Sequence, residues 1–403
     1  MIEPKLRFKA DDGSDFPDWE EKKFLDCISK IVDFRGRTPL KLGMAWSGEK
    51  TEYLALSALN VKMGYIDENI DAHYGNKKLY DMWMDGNELY KGQVLFTTEA
   101  PMGNVAQVPD NKPYILSQRT IAFVPKYDLL HDDFLVVLLS SSNVQRRLDT
   151  LATGGTAKGI SQKSLKNFNV KIPCDLDEQQ KIADFLSTID TIIEKQRATV
   201  SAWEERKKGV MQKLFSQEVR FKADDGSDFP ELEAKSLFDI CEYKNKQSVG
   251  KNYVGTENMK QNFSGLESLD EETEMKGVCY CKGDTLMSNI RPYLRKTWKA
   301  DREGVCSTDV LVFHPIDVVS EYLHYLIASD KFISYVMTGV KGVKMPRGDK
   351  EHMMKFSIMV PSLPEQQKIA DCLSALDAVI EKQKETLEKW QELKKGLLQQ
   401  MFV

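Results

Sequence analysis

The sequence predicts an α+β fold: two mixed α/β blocks joined by two long antiparallel coiled-coil helices, with pseudo-twofold symmetry. Three observations predict it: a short segment that occurs twice, a long helical segment that occurs twice, and two dissimilar blocks between them. Residues 6–17 (LRFKADDGSDFP) return as residues 219–230 (VRFKADDGSDFP), identical at eleven of twelve positions and offset by 213. Residues 178–196 (EQQKIADFLSTIDTIIEKQ) return as 365–383 (EQQKIADCLSALDAVIEKQ), identical at fourteen of nineteen and offset by 187. The likeness runs on through Trp203 and Trp390, Lys207-Lys208-Gly209 and Lys394-Lys395-Gly396, and Phe215 and Phe402. The offsets differ by 26, so the blocks between the repeats differ in length by about that much, and they differ strongly in sequence. Two copies are too few for a solenoid, and the period far exceeds that of repeat arrays. The expected domain plan is 1–174, a block with its leading segment; 175–216, a long helix; 217–361, a second block with its leading segment; and 362–403, a second long helix.

The first block carries strand-like runs at 93–97, 104–108 and 120–124, followed by an amphipathic helical pattern over 134–151. The second carries strand-like runs at 285–288 and 310–314 and a helical pattern over 322–337. A Lys-Gly pair precedes a strand in both, at Lys91-Gly92 and Lys282-Gly283, so the blocks are expected to share a fold.

Each long helix opens on a capping-box pattern, Asp175…Glu178 and Ser362…Glu365. Pro364 falls in a first turn, where its missing N–H does no harm. Alternating steps of four and three then select Ile182, Leu186, Ile189, Ile193, Gln196, Val200, Trp203, Lys207, Val210 and Leu214. The second copy gives Ile369, Leu373, Leu376, Ile380, Gln383, Leu387, Trp390, Lys394, Leu397 and Met401. Eight of ten in each are apolar, on the 3.5-residue period of a coiled-coil seam. The interruptions, Gln and then Lys, fall at equivalent places. They either fix register or, for Lys207 and Lys394, snorkel outward. Each helix is expected to run about 38 residues, roughly 57 Å. Either the two pair with each other as a rod, or each pairs with a partner protein's helix.

Lys plus Arg is 56 and Asp plus Glu 61, a formal net charge of -5. That excludes a polycation that coats nucleic acid by bulk charge, though not a local basic groove. The longest strictly apolar run is 134–139, too short to span a bilayer, and no secretory signal opens the chain. Seven cysteines lie at irregular spacing without C-x-x-C, which favours reduced thiols and a cytoplasmic location. Cys279 and Cys281 read as alternate strand positions. The five histidines are scattered, without H-E-x-x-H. Residues 154–159 are glycine-rich, but Ile160 stands where a P-loop needs Lys. Neither G-x-S-x-G nor a dinucleotide fingerprint occurs, nor an N-P-P-Y or D-P-P-Y tetrapeptide. Pro17-Asp18…Glu20-Glu-Lys22 superficially suggests a nuclease, but its acids are too close to converge on one metal. No catalytic residue and no metal ligand are expected.

The positive signal lies in polar, glycine-containing loops. The first block offers Arg35, Arg37 and Thr38; Thr97, Thr98 and Asn104; Gln118 and Arg119; and Lys158, Gln162 and Lys163. The second offers Ser288, Asn289, Arg291, Arg295 and Lys296, then Lys341, Lys344 and Arg347. These residue types suit phosphate contacts and base-edge readout, Arg pairing with guanine and Asn or Gln with adenine.

The whole arrangement resembles the specificity (S) subunit of type I DNA restriction–modification systems. The carriers are the Arg-Phe segments at 6–8 and 219–221, LPEQQKIA at 363–370 with its partner at 176–183, and the Trp-x-x-x-Lys-Lys-Gly ends at 203–209 and 390–396. Asp177 stands where the second copy has Pro364, a minor departure because Asp also suits a first turn. The resemblance implies two target recognition domains, each reading half of a bipartite site in double-stranded DNA. The helices would set the gap and dock two modification (methyltransferase) subunits, packed through Ile182, Leu186, Ile189, Ile193, Trp203, Ile369, Leu373, Leu376, Ile380 and Trp390. It implies a non-catalytic chain without a cofactor of its own and without membrane contact. S-adenosylmethionine would belong to the modification subunits, and ATP and Mg to two restriction subunits where these are present. The alternative is a scaffold or regulatory homologue that assembles without reading DNA.

Overall fold

Residues 1–195 with 387–403 form one unit and residues 196–386 a second; the computed structural model describes residues 4–154, 158–267, 269, 271–342 and 344–402. In the first unit, β1 (Glu20–Lys23) pairs antiparallel with β11 (Asn169–Ile172), bringing the two ends of the block together. Between them, β2 (Ile28–Asp33), β7 (Val94–Thr97), β8 (Val105–Gln107) and β10 (Thr120–Pro125) form an antiparallel sheet in the order β2-β10-β7-β8. Its central strands are buried on both faces. Val94, Phe96, Ile121 and Phe123 face one core, while Leu95, Ala106 and Ala122 face another, the period of two that a strand imposes. The second core is closed by a small sheet of β3 (Leu54–Leu56), β6 (His73–Tyr74) and β9 (Ile115–Leu116), the hairpin β4 (Val61–Lys62) and β5 (Tyr65–Ile66), and α1 (Lys77–Met84). Trp83 of α1 is fully buried and donates from Nε1 to the Leu116 carbonyl at 2.9 Å.

The pattern over 134–151 forms two helices, not one: α2 (Asp132–Ser140) and α3 (Ser142–Leu151). Ser141 between them has extended backbone, and its hydroxyl donates to the Leu138 carbonyl at 2.8 Å. A short α4 (Gln162–Leu165) precedes β11, and α5 (Leu176–Ser216) follows it.

The second unit repeats the plan. β12 (Glu233–Ser236) pairs with β20 (Ser357–Val360), and α6 (Leu237–Ile240) leads into β13 (Cys241–Lys244). β16 (Thr285–Ser288), β17 (Thr297–Lys299) and β19 (Val310–Pro315) complete a sheet in the order β13-β19-β16-β17, the topology of the first unit. A side sheet holds β14 (Gln247–Gly250), β15 (Met275–Tyr280) and β18 (Gly304–Cys306). Gly92 and Gly283 both take φ +91° in the turns that lead into β7 and β16, a conformation glycine adopts without steric penalty. The pattern over 322–337 also splits, into α7 (Ser320–Ile327) and α8 (Asp330–Thr338). Here Ser329 caps α8 by accepting from the Phe332 N–H at 3.1 Å. Serine's local hydrogen bonding ends the helix in both units, which an unbroken apolar period conceals. α9 (Lys350–Met354) precedes β20, and α10 (Leu363–Met401) closes the chain.

α5 runs 41 residues and α10 39. In the first unit Ile182, Leu186, Ile189 and Ile193 are buried in one core with Phe134 and Leu138, and Leu387, Trp390 and Leu397 pack against it. In the second, Ile369 and Leu373 are buried with Met211, Leu214 and Phe215, and Leu376 packs against them; Ile380 is buried and Trp203 half-buried. The polar seam residues pair inside the chain. Lys394 Nζ meets Asp190 Oδ1 at 2.5 Å in the first unit, and Lys207 Nζ meets Asp377 Oδ1 at 2.5 Å in the second. Gln196 Nε2 reaches the Gln383 carbonyl at 3.0 Å and its Oε1 at 2.7 Å. Lys207 and Lys394 therefore do not snorkel into solvent.

The capping-box expectation fails, and its failure explains the short repeat. Asp175 does accept from the Asp177 N–H at 2.8 Å. Glu178, however, turns away from the helix start and takes Arg7 on both oxygens, Nε to Oε1 at 3.0 Å and Nη2 to Oε2 at 2.8 Å. Glu365 takes Arg220 in the same way, at 3.0 and 2.6 Å. Next along, Gln179 accepts from the His131 N–H and donates to the Leu129 and Pro173 carbonyls. Gln366 accepts from the Val319 N–H and donates to the Pro361 carbonyl. Lys181 binds Asp11 at 2.5 Å, and Lys368 binds Asp224 at 2.5 Å. The repeated Arg-Phe and Glu-Gln-Gln-Lys segments thus form a fastening between leading segment, helix start and block, made once in each unit.

His324 of α7 lies near Lys207 of α5 and Asp377 of α10, and its Nδ1 has no partner among the described residues. Burial, aided by the Lys207 ammonium, pushes its pKa down to about 4; Asp377 and Glu321 oppose the shift, and Lys299 adds to it. An unfolded imidazole titrates near 6.5, so the unfolded chain binds a proton that the folded one refuses. Stability of the second unit is therefore expected to fall as pH drops from 7 to 5, by about 2 kcal/mol. Urea titrations of wild type and His324→Leu at the two pH values check this, the variant losing that share of the pH dependence.

Candidate nucleic-acid interface

The strand registers gather the polar loops at one end of each main sheet. In the first unit Asp33 ends β2 opposite Ile121, Thr97 ends β7 opposite Thr120, and β8 begins at Val105 opposite Phe96. The segments 34–43, 98–104 and 117–119 therefore leave from the same end. Backbone bonds then tie them together. Thr98 N–H donates to the Arg119 carbonyl at 2.8 Å and Ile160 N–H to the Thr98 carbonyl at 2.9 Å. Glu99 bridges Gly159, and Gln162 Nε2 donates to Asp33 Oδ2 at 2.8 Å.

The second unit has the same construction. Ser288 ends β16 opposite Val310. The Asn289 N–H donates to the Asp309 carbonyl at 2.8 Å, and the Arg291 N–H to the Pro346 carbonyl at 2.8 Å. Ile290 and Lys341 each bridge Arg347. Residues 289–296 hold Arg291, Arg295 and Lys296 and no acid, and residues 341–350 hold Lys341, Lys344, Arg347 and Lys350 with Asp349 alone opposing them. A chain of net negative charge thus concentrates cations at one sheet end. Gly155, Thr156 and Ala157 of the first glycine-containing loop, and Val343 of the second, lie outside the described residues.

Side-chain partners divide the candidates sharply. Thr97, Thr98, Ser288 and Asn289 are buried. The Thr97 hydroxyl accepts the Asn104 N–H at 2.9 Å, and the Thr98 hydroxyl donates to the Arg119 carbonyl at 3.1 Å. Asn104 donates to the Val61 carbonyl, and Thr38 accepts from Lys41. Arg35 forks onto Asp33, at 2.9 Å from Nε and 2.5 Å from Nη2. Burial alone would raise the Asp33 carboxyl, but the Arg35 bonds outweigh it and hold the group below the usual carboxylate range. Arg37 lies over the Phe34 ring and donates to the Trp83 carbonyl. Lys158 pairs with Asp149 at 2.8 Å, Arg295 with Asp330 at 2.9 Å, and Arg347 with Asp309 at 3.1 Å. Lys296 donates to the Thr256 carbonyl, and Lys341 pairs with Asp349, whose carboxyl it holds down to about 2.

What remains is a short set. Gln118, Lys163, Arg291 and Lys344 are exposed and have no side-chain partner among the described residues. Arg119 is 52% exposed and 3.9 Å from Glu99. Arg119 (φ +62°) and Arg291 (φ +51°) both hold left-handed backbone, as does Arg295 (φ +55°). Non-glycine residues in that region cluster at functional sites, because the surrounding structure must enforce the conformation. The loop acids Asp33, Asp309 and Asp349 order the interface and escaped sequence reasoning. For Asp33 and Asp349 the available signal was a cation close by in the chain, Arg35 and Lys350; Asp309 gave none, because Arg347 lies 38 residues away. Among the described residues no group of His, Cys, Asp and Glu could hold a metal ion, and no helix is long and apolar enough to cross a membrane.

Comparison with known proteins supplies the context. Residues 18–200 and 230–389 match the family model described as Type I restriction modification DNA specificity domain. The chain is similar to the type I restriction enzyme MjaVIII specificity subunit of Methanocaldococcus jannaschii, 24% identical over 315 residues, covering 71% of this chain and 73% of that one. Its fold is like that of the S subunit of a type I restriction–modification system from M. genitalium, with TM-score 0.57 and 16% identity, covering 100% of this chain and 99% of that one. A chain from a structural study of complex assembly and conformational transition in the type I restriction–modification system is alike in the same degree: TM-score 0.57, 16% identity, 96% of this chain and 98% of that one.

Proposed function

Because the chain belongs to the type I restriction modification DNA specificity family, we propose that the loop cluster of each unit reads one half of a bipartite target in double-stranded DNA. The family's role is recognition of target DNA, and the chain is accordingly a specificity subunit and not a catalyst. The paired long helices set the gap between half-sites and dock two modification subunits. Those subunits bring S-adenosylmethionine and the methyl transfer, and restriction subunits, where present, bring ATP and Mg.

One observation carries this reading: the same sheet end is built twice, with the same backbone ties and different exposed side chains. Gln118 and Arg119 in one unit, and Arg291 in the other, supply the amide and guanidinium donors that match base edges in the major groove. Lys163 and Lys344 suit phosphates, whose contacts position a reader without carrying sequence information.

Exchange of residues 231–360 for the corresponding block of another family member tests it by methylome sequencing. One half of the methylated motif is expected to change and the other to stay. Change in both halves, or in neither, overturns the two-reader assignment. Methylation that persists unchanged when this gene is deleted favours the scaffold alternative.

A further inference from the structure

We propose that Asp330, on α8 and outside every loop considered above, is the positioning residue that aims Arg291 at DNA in the second unit; this rests on the recognition reading just given. Arg291 and Arg295 are the two ends of one tight turn. The Leu294 N–H donates to the Arg291 carbonyl at 2.8 Å, and the Arg295 N–H donates to the Pro292 carbonyl at 2.9 Å. Both ends hold left-handed backbone, which is disfavoured for arginine and persists only where something enforces it.

Apolar packing supplies little of that force. Of residues 291–295 only Pro292 is buried. Behind the turn lies a cleft of about 1060 Å³, lined by Asn262, Phe263, Arg295, Asp330 and Lys208 among others. The turn is instead held across this cleft by polar contacts. Arg295 Nη2 meets Asp330 Oδ1 at 2.9 Å, and the Arg295 guanidinium lies 5.9 Å from the Phe263 ring centre. The Phe263 N–H donates to the Arg295 carbonyl at 2.7 Å and the Asn262 N–H to the Leu294 carbonyl at 3.1 Å. On its other oxygen Asp330 faces Lys208 of α5 at 3.8 Å. Asp330 thus joins the turn that carries Arg291 to the body of the unit. Arg295 is a strut whose charge is satisfied internally, and Arg291 is the group it leaves free and pointed outward.

The test uses the full chain assembled with its modification subunits. Duplexes with single-base changes in either half-site measure discrimination for wild type, Asp330→Asn, Asp330→Glu, Arg295→Gln and the double variant Asp330→Asn/Arg295→Gln. Asn keeps a polar side chain at the helix start, and the Ser329 cap is untouched. Asp330→Asn is expected to lose roughly tenfold discrimination in the second half-site, at the position where Arg291→Ala loses it. The first half-site should be unaffected. Asp330→Glu should recover part of the loss, and the double variant should be no worse than either single one, because both break one contact. Unchanged discrimination in Asp330→Asn overturns the proposal, as does an equal loss in both half-sites, which marks a general structural role. Wild type that discriminates nothing in the second half-site overturns the recognition reading instead, which separates the two failures.

Discussion

Arg7→Ala is expected to destabilise the first unit by about 3–5 kcal/mol. The Glu178 side chain is 0% exposed and Arg7 22% exposed, so the carboxylate depends on this guanidinium for compensation. Arg7 also donates from Nη2 to the Phe16 and Pro17 carbonyls, at 3.2 and 2.6 Å. Its removal leaves a buried charge and releases the leading segment from the helix start. Arg7→Lys should recover less than half, because a single ammonium cannot reproduce the fork. A double variant, Arg7→Met with Glu178→Leu, should regain most of the loss by removing both charges. Urea unfolding read with probes in the first unit checks all three. A change within about 0.5 kcal/mol for Arg7→Ala, the size of an ordinary surface substitution, would remove the fastening as a source of stability. Arg220 and Glu365 make the same contact in the second unit, where Glu365 is 2% exposed.

Replacing Arg119 and Arg291 together by Ala is expected to weaken sequence-specific DNA binding by about 2–6 kcal/mol, roughly twice the 1–3 kcal/mol of one base contact. The residues lie in separate units, so their effects should add. Each single variant should relax specificity in its own half-site only. The measurement is equilibrium binding of the assembled complex to cognate duplex and to single-base variants, at fixed salt. A uniform loss across all sequences would reassign both residues to phosphate contacts. Arg35→Ala and Arg347→Ala serve as contrasts, because carboxylates already hold those guanidiniums.

The candidate loops were legible in the sequence as a set, but not as individuals. Arg35, Arg119, Arg291 and Arg347 look alike on the page: each is an arginine beside glycine, proline or a polar residue. Two of them are bound to Asp33 and Asp309, and the other two are not. Arg35 is held by a carboxylate two residues before it in the chain, whereas Arg347 is held because a loop crossing brings it beside residue 309. Thr97 and Ser288 read as accessible hydroxyls, but both close the last register position of a buried strand. Asp330 gave no signal, because what it holds lies on another loop.

Sequence alone determined the duplicated plan, the two long helices and their apolar seams. Period and repetition are properties of neighbouring residues, and burial follows them once a helix forms. Tertiary structure decided which charges are bound and which are free. Glu178 was expected to cap its own helix and instead binds a guanidinium 171 residues away, while Glu365 binds one 145 residues away. A carboxylate at a helix start has a local partner and a distant one within its chemistry. Which it takes depends on where the fold delivers the arginine, because a buried bidentate pair outweighs one backbone N–H.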